Sequence, residues 1–178
     1  IYLNGGTFKN ASGATFNPVA STKAINVQLA GGTIDLNGLQ FQLDDASQLT
    51  GAGNLTFTNT SGTANTVLLG TSSVSYTAFT GNMFITAPSG GVTLQLVGAN
   101  AAGVSGNTIV MGANSALDLK ATINNNVVIG GTGIGGGGAI ISSATGGGVA
   151  SAYTITLTSN TLINNTTNLT LRSEEHTS

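Results

Sequence analysis

The chain lacks cysteine and tryptophan, has only two prolines, and has only 6% charged residues. Soluble domains normally carry about 25% charged residues. The absence of cysteine excludes disulfides, thiolate metal sites and a cysteine nucleophile. Four Lys and Arg residues in total are too few for the basic surface that nucleic-acid binding needs. The shortage of side chains that transfer protons also argues against most hydrolytic enzymes.

Hydroxyl and amide side chains supply the polarity that charged residues do not. The chain contains 27 Gly, 27 Thr, 19 Asn and 16 Ser, which together are half of its 178 residues. Leu, Ile, Val and Phe number 46, or about 26% of the chain. That share exceeds the roughly 20% below which chains tend to stay disordered. The composition therefore predicts one folded domain, or one piece of a repetitive protein.

The hydrophobic pattern indicates short β-strands and no substantial helix. Gly, Thr, Asn and β-branched residues are weak helix formers. In a strand, alternate side chains face opposite sides, so Leu, Ile and Phe are predicted inside and Thr, Gln and Asn outside. Turns rich in Gly and Asn separate the strands, since these residues tolerate positive φ. Apolar and polar residues alternate at 33–37, 39–43, 54–58, 92–96, 116–119, 153–158 and 168–171.

Short strands at this spacing fit a sandwich, a barrel or a β-solenoid. Hairpin signals are few, with Asn4-Gly5 and Asn37-Gly38 as the exceptions. Aromatic residues are scarce, and aliphatic side chains alone fill a narrow stacked coil. We therefore predict an all-β, right-handed parallel β-helix of about seven or eight irregular coils. An antiparallel β-sandwich is the alternative.

Four segments carry a repeat-like pattern. Residues 51–60 (GAGNLTFTNT) and 91–100 (GVTLQLVGAN) are similar to a line written GaGxLTLtG. Residues 105–119 are similar to tGgTtVxxGaxLxL, and residues 76–85 to YtGxxxI. Together they resemble the autotransporter-associated β-strand repeat, over about residues 31–119. The resemblance implies a right-handed parallel β-helix in the passenger region of a type V secreted bacterial surface protein.

The two ends of the chain differ from its interior. Residues 172–178 (RSEEHTS) contain the only Arg, both Glu and the only His, and resemble the translation of a common sequencing adapter. We predict that 172–178 is a non-native tail and that 1–171 is a solenoid repeat segment truncated at both ends. Residues 168–171 would then form an exposed terminal strand. Deleting the tail should leave the unfolding midpoint unchanged, and the open ends should self-associate.

Candidate sites for catalysis, cofactors and metals are weak. Gly131–Gly136 fits G-x-G-x-x-G, but no helix pattern or downstream acid follows, so a glycine-rich loop is predicted instead of a phosphate loop. Asp44-Asp45 is the only acidic pair outside the tail and is predicted to lie in a solvated turn, with a weakly held Ca²⁺ at most. His176 lies in the tail, so no Ser–His–Asp triad or histidine metal site is expected. The prediction is no catalytic, cofactor-binding or metal site.

These features predict a non-enzymatic stalk or adhesive passenger segment of a bacterial surface or secreted protein. Its location would be extracellular or at the outer-membrane surface, with a surface glycan or protein as partner and no nucleic acid. The longest weakly polar run, 127–141, is shorter than the ~18–20 residues of a membrane span. The alternatives are a carbohydrate-active β-helix enzyme and an ice-binding solenoid. The second alternative is suggested by Thr56-x-Thr58 and Thr154-x-Thr156-x-Thr158.

Overall fold

The computed structural model of the chain describes residues 1–11, 13–17, 24–70, 74–165 and 169. Two short 3₁₀ turns, Ala46–Gln48 and Ile134–Gly136, interrupt an otherwise all-β structure. The strands in chain order are β1 (Tyr2–Leu3), β2 (Thr7–Lys9), β3 (Ile25–Val27), β4 (Gly32–Asp35), β5 (Phe41–Leu43), β6 (Leu49–Gly51), β7 (Leu55–Thr58), β8 (Asn65–Leu69), β9 (Met83–Thr86), β10 (Val92–Leu96), β11 (Thr108–Met111), β12 (Ser115–Leu119), β13 (Thr122–Ile123), β14 (Asn126–Gly131), β15 (Ile140–Ser142), β16 (Gly148–Val149), β17 (Ile155–Thr161) and β18 (Ile163–Asn165).

The strands stack into a parallel β-solenoid, as predicted. A seven-stranded sheet has the order β17-β14-β11-β9-β7-β4-β2, and a six-stranded sheet has the order β18-β15-β12-β10-β8-β5. The third side is formed by a three-stranded sheet (β1-β3-β6) and a two-stranded sheet (β13-β16). Strand β7 pairs in parallel with both β4 and β9, which excludes the antiparallel sandwich.

The solenoid has about six turns, fewer than the predicted seven or eight. Its turns differ in length because the corners between sheets differ. Leu55 pairs with Met83 on the next turn, 28 residues later, whereas Thr108 pairs with Asn126 after only 18 residues. Most strands hold their register through these changes, so the insertions lie mainly in the corners. The pair β14–β17 is an exception, since its register shifts between Ile129 and Gly131. This irregularity explains why the sequence shows no strict repeat.

The alternation of side chains is confirmed in most strands that lie between two neighbouring coils. In β10, Leu94 and Leu96 are fully buried, whereas Thr93 and Gln95 face outward and are partly exposed. Strand β12 departs from this pattern, since all five of its residues are buried. The stretch 168–171 lies outside the described residues except for Leu169, which packs against the core.

A single apolar core runs along the solenoid axis. Each inward-facing row stacks equivalent side chains from successive coils, such as Ile34, Phe57 and Ile85 on the seven-stranded sheet. Near the first coils, four rings pack in succession. The ring centroids of Phe8 and Phe16 are 5.0 Å apart, those of Phe16 and Phe41 are 5.2 Å apart, and those of Phe41 and Phe57 are 5.2 Å apart. Each fully buried large side chain contributes roughly 1.5–3 kcal/mol.

The Asn37-Gly38 pair forms a corner of the solenoid and no hairpin. Both residues have positive φ, 51° and 76°, and the Leu39 N–H donates to the Leu36 carbonyl over 3.0 Å. This tight turn joins β4 in the seven-stranded sheet to β5 in the six-stranded sheet. Turn chemistry typical of hairpins therefore serves here to change sheets.

Tyr76 is buried, and its hydroxyl makes no hydrogen bond of good geometry within the described part of the chain. Burial raises the pKa of Tyr76 well above its ordinary value, although the Gly70 backbone lies close enough to lower the pKa slightly. Because an unpaired buried hydroxyl costs about 1–3 kcal/mol, we expect Tyr76→Phe to increase the free energy of unfolding by about 1 kcal/mol. Urea unfolding measures the effect, with Tyr153→Phe as the matched control. A loss of stability in Tyr76→Phe would contradict the prediction.

Candidate functional site

The seven-stranded sheet has the most strands of the described sheets, and its outer face presents one side chain from each strand in a row. Its central row stacks one outward side chain from each strand. The first three members are threonines, the next three are apolar, and the last is a threonine again. This central row consists of Thr7, Thr33, Thr56, Phe84, Val110, Val128 and Thr156. The face therefore combines a hydroxyl-bearing part with an apolar part.

An asparagine ladder holds the amino ends of these strands in place. The Asn54 side-chain oxygen accepts from the Asn82 N–H over 3.0 Å, and the Asn82 side chain accepts from the Thr108 N–H over 2.9 Å. Two coils further, the Asn126 side chain accepts from the Thr154 N–H over 3.0 Å. These bonds satisfy backbone donors that the corners leave unpaired. They fix the spacing of the outer face from coil to coil.

Two shallow grooves open on this face. The first has a volume of about 350 Å³ and lies at the amino ends of the first strands, where it is lined by Gly31, Thr33, Asn54, Thr56 and Phe84 among others. The second has a volume of about 430 Å³ and lies at the carboxyl ends of the later strands. Its lining includes Gly112, Asn114, Gly130, Thr158 and Ser159. Neither groove has a charged residue in its lining.

Asp35 and Lys9 form the ion pair of the first coils. The Lys9 ammonium lies 3.3 Å from the Asp35 carboxylate, whose side chain is only 4% exposed. The carboxylate also accepts from the Thr60 hydroxyl over 2.6 Å, the Thr60 N–H over 3.1 Å and the Asn37 N–H over 3.0 Å. Burial raises the pKa of Asp35, but these hydrogen bonds outweigh burial and hold the pKa below its ordinary value. The carboxylate is thus engaged in stabilising a corner.

We expect acid to weaken the fold through Asp35. A depressed pKa means that ionised Asp35 stabilises the folded state above its ordinary pKa of 3.8, and that this contribution is lost as pH falls through the lower folded value. Asp35→Asn should cost about 1–3 kcal/mol at neutral pH and flatten the acid limb of the stability profile. Urea titrations across the acid range measure both effects.

Lys9→Met is the matched control for Asp35→Asn. The Lys9 side chain is 52% exposed, so loss of this partner should cost less than about 1 kcal/mol. Equal losses in the two variants would show that the ion pair, and not the hydrogen-bonded corner, stabilises this region.

Asp118 and Asp45 have hydrogen-bond partners of their own. Asp118 is buried on the outer side of β12, where it accepts from the Gln95 amide over 2.7 Å and the Ser143 hydroxyl over 2.7 Å. Asp45 caps the 3₁₀ turn Ala46–Gln48, and the Ser47 hydroxyl and N–H lower its pKa. Strands β8 and β10 separate β5, which precedes Asp44, from β12. The structure therefore does not bring these carboxylates into one cleft.

The glycine-rich segment forms a loop that leads into a strand. Gly131–Gly136 is followed by β15, where a dinucleotide-binding motif would continue as a helix. Ile134 packs over Gly91, since a Cβ built at Gly91 would lie 2.6 Å from the Ile134 Cγ2 atom. The loop thus covers a corner of an earlier coil.

The described residues contain neither a metal-binding cluster of side chains nor a membrane-spanning helix. No group of three or more His, Asp or Glu side chains in this part of the chain could hold a metal ion. None of its helices has the length and apolar character needed to cross a membrane. His176, Lys23 and the tail 172–178 lie outside the described residues.

Sequence reasoning missed the apolar part of the outer face. Its members Phe84, Val110 and Val128 each stand in the middle of three consecutive apolar residues. Alternation places the flanking two inside, so the middle one must face outward. Three consecutive apolar residues in a predicted strand were therefore the sequence signal for an apolar side chain on the outer face.

Comparisons with models of protein families, with curated proteins and with solved structures find no match for this chain.

Proposed function

We propose that the chain is a non-enzymatic stalk or adhesive passenger segment of a bacterial surface or secreted protein. The observation that carries the proposal is the continuous parallel solenoid, in which each coil packs on the next around one core. Nearest-neighbour packing of this kind lets a chain extend without limit on its length. Such a scaffold holds other parts of a protein away from a surface and presents long side faces to partners.

The chemistry of the charged groups supports this role. Asp35 and Asp118 are both buried, and both carboxylates accept several hydrogen bonds from neighbouring coils. Carboxylates held in this way stabilise corners and strands. A general base, by contrast, needs a free lone pair aimed at a substrate.

Surface display tests the proposal. The chain is fused between a reporter domain and an outer-membrane anchor in a Gram-negative host, and protease is added to intact cells. We expect the reporter to be displayed and the solenoid to resist cleavage. In parallel, the purified chain is incubated with acidic and neutral polysaccharides, and released reducing ends and unsaturated products are measured. Turnover of any of them would overturn the non-enzymatic proposal.

Self-association through an exposed coil is a further expectation. Leu157 stacks on Ile129 and Ile163 on Ile140, and the two side chains are 53% and 39% exposed. We therefore expect concentration-dependent association in light scattering, because such apolar patches favour contact. Leu157→Lys should reduce it and the outward-facing Thr156→Lys should not. A strict monomer at high concentration would contradict this expectation.

A further inference from the structure

The two grooves on the outer face are parts of one diagonal path. The first groove ends at Phe84 in β9. From there the central row continues through Val110 in β11 to Val128 in β14. Gly130, two residues beyond Val128 on the same face, lines the second groove. Since neighbouring strands lie about 4.8 Å apart, the path across the six strands from β4 to β17 is roughly 24 Å long. A ligand that fills it is therefore an extended chain.

The path offers unused hydrogen-bonding groups. Within the described part of the chain, the hydroxyls of Thr33, Thr56, Thr158 and Ser159 make no hydrogen bond to another protein group. At Gly130 a Cβ would lie 2.5 Å from the Thr158 hydroxyl and 2.6 Å from the Ser159 hydroxyl, so glycine leaves both open to the groove. Hydroxyls both donate and accept, which suits a ligand that itself carries many hydroxyls.

The absence of charge in the two grooves further narrows the class of ligand that they can bind. The lining residues of both grooves are uncharged, and the nearby cation Lys9 is paired with Asp35. An acidic ligand would find no free cation in either groove, and a basic ligand no free carboxylate. The partly exposed Phe84 ring supplies an apolar platform at the middle of the path. Pyranose rings present C–H faces that pack on such a platform and hydroxyl edges that bond Thr, Ser and Asn.

A peptide strand suits this face less well. Extended peptides bind by adding a strand to a sheet edge, where backbone N–H and C=O groups are free. On the outer face those groups are already used between neighbouring coils. Among the described strands, the edges of the seven-stranded sheet are β2 and β17.

We propose that the outer face of the seven-stranded sheet binds a neutral linear polysaccharide along the path from Thr33 through Phe84 to Thr158. The proposal rests on the adhesive form of the proposed function and names its ligand class. Phe84 packs against a sugar ring near the middle of the path. The threonine and serine hydroxyls bond the sugar hydroxyls in the two grooves.

Affinity electrophoresis tests the proposal with the whole chain. Native gels contain dextran, pullulan, glucomannan or hydroxyethyl cellulose as neutral probes, and polygalacturonate or dextran sulfate as acidic probes. We expect at least one neutral polysaccharide to retard the chain. Phe84→Ala should weaken that retardation at least tenfold, and Val128→Lys, which places a charged chain across the path, should abolish it.

A control variant and circular dichroism separate a loss of polysaccharide binding from a loss of folding. Thr66→Lys adds the same charge on the outer side of the six-stranded sheet and should leave retardation unchanged. Each variant is first shown to retain the wild-type spectrum. The proposal falls if no neutral probe retards the chain, if only acidic probes do, or if Phe84→Ala and Val128→Lys behave like Thr66→Lys. If the chain displays its reporter but no polysaccharide retards it, the stalk function is supported and the polysaccharide-binding proposal is contradicted.

Discussion

Leu94→Asp is expected to abolish the folded state. Leu94 is fully buried and stacks between Val67 and Leu117 of the neighbouring coils. A carboxylate at this point would lie in an apolar core with no cation to pair with, which costs several kcal/mol. Its row is shared by adjacent coils, so the loss is not confined to one strand. Circular dichroism and urea unfolding should show a loss of more than about 4 kcal/mol.

Two further variants make this result interpretable. Leu94→Ala keeps the core apolar and should cost about 2–5 kcal/mol, which remains measurable if the aspartate variant does not fold. Thr93→Asp places the same carboxylate on the outward side of the same strand and should change stability by less than about 1 kcal/mol. If Leu94→Asp and Thr93→Asp lower stability equally, the assignment of inner and outer faces is wrong.

Gly53→Ala is the second change with a large expected effect. A Cβ at Gly53 would overlap the Gln28 carbonyl oxygen and lie 2.7 Å from its carbon and 2.9 Å from the Gly31 nitrogen. All of these atoms belong to the backbone of the preceding coil, which cannot move aside as a side chain would. We expect a loss of about 2–4 kcal/mol in the free energy of unfolding. Urea unfolding followed by circular dichroism measures it.

Gly62→Ala is the matched control, and its effect should have the opposite sign. Nothing lies within 4 Å of a Cβ at Gly62, and its φ is not positive. Alanine there restricts the unfolded chain without strain, which stabilises by about 0.4–1 kcal/mol. Similar losses of unfolding free energy in Gly53→Ala and Gly62→Ala would show that these glycines affect stability through backbone entropy and not through close contact between coils.

The sequence predicted which side chains of a strand are buried, but it did not predict which glycines are packed too tightly for a larger residue. The alternation at 92–96 predicted the buried leucines of β10 correctly, because side-chain direction in a strand follows from local geometry alone. Gly53 and Gly62 both read as turn residues in the sequence. Only the stacking of one coil on another shows that Gly53 has no room for a methyl group.

The acidic residues also show that a sequence pattern does not predict contacts between coils. Asp35 and Asp118 occupy outward positions in alternating stretches, so the sequence predicts exposed carboxylates. The structure buries both, since Thr60 covers the first, and Gln95 and Ser143 cover the second. These partners are 23 to 25 residues away in the chain. The alternation of apolar and polar residues within a strand carries no information about partners that far away in the chain.

By itself, the sequence determined the all-β character, the short strands, the apolar content of the core and the corner glycines and asparagines. Each of these depends on local backbone preference or on composition. The tertiary structure alone decided the number of turns, the register between coils, and the diagonal path from Thr33 through Phe84 to Thr158. The physical reason is that neighbours in a solenoid lie one turn apart, and turns of 18 to 28 residues have no constant period for a sequence pattern to follow.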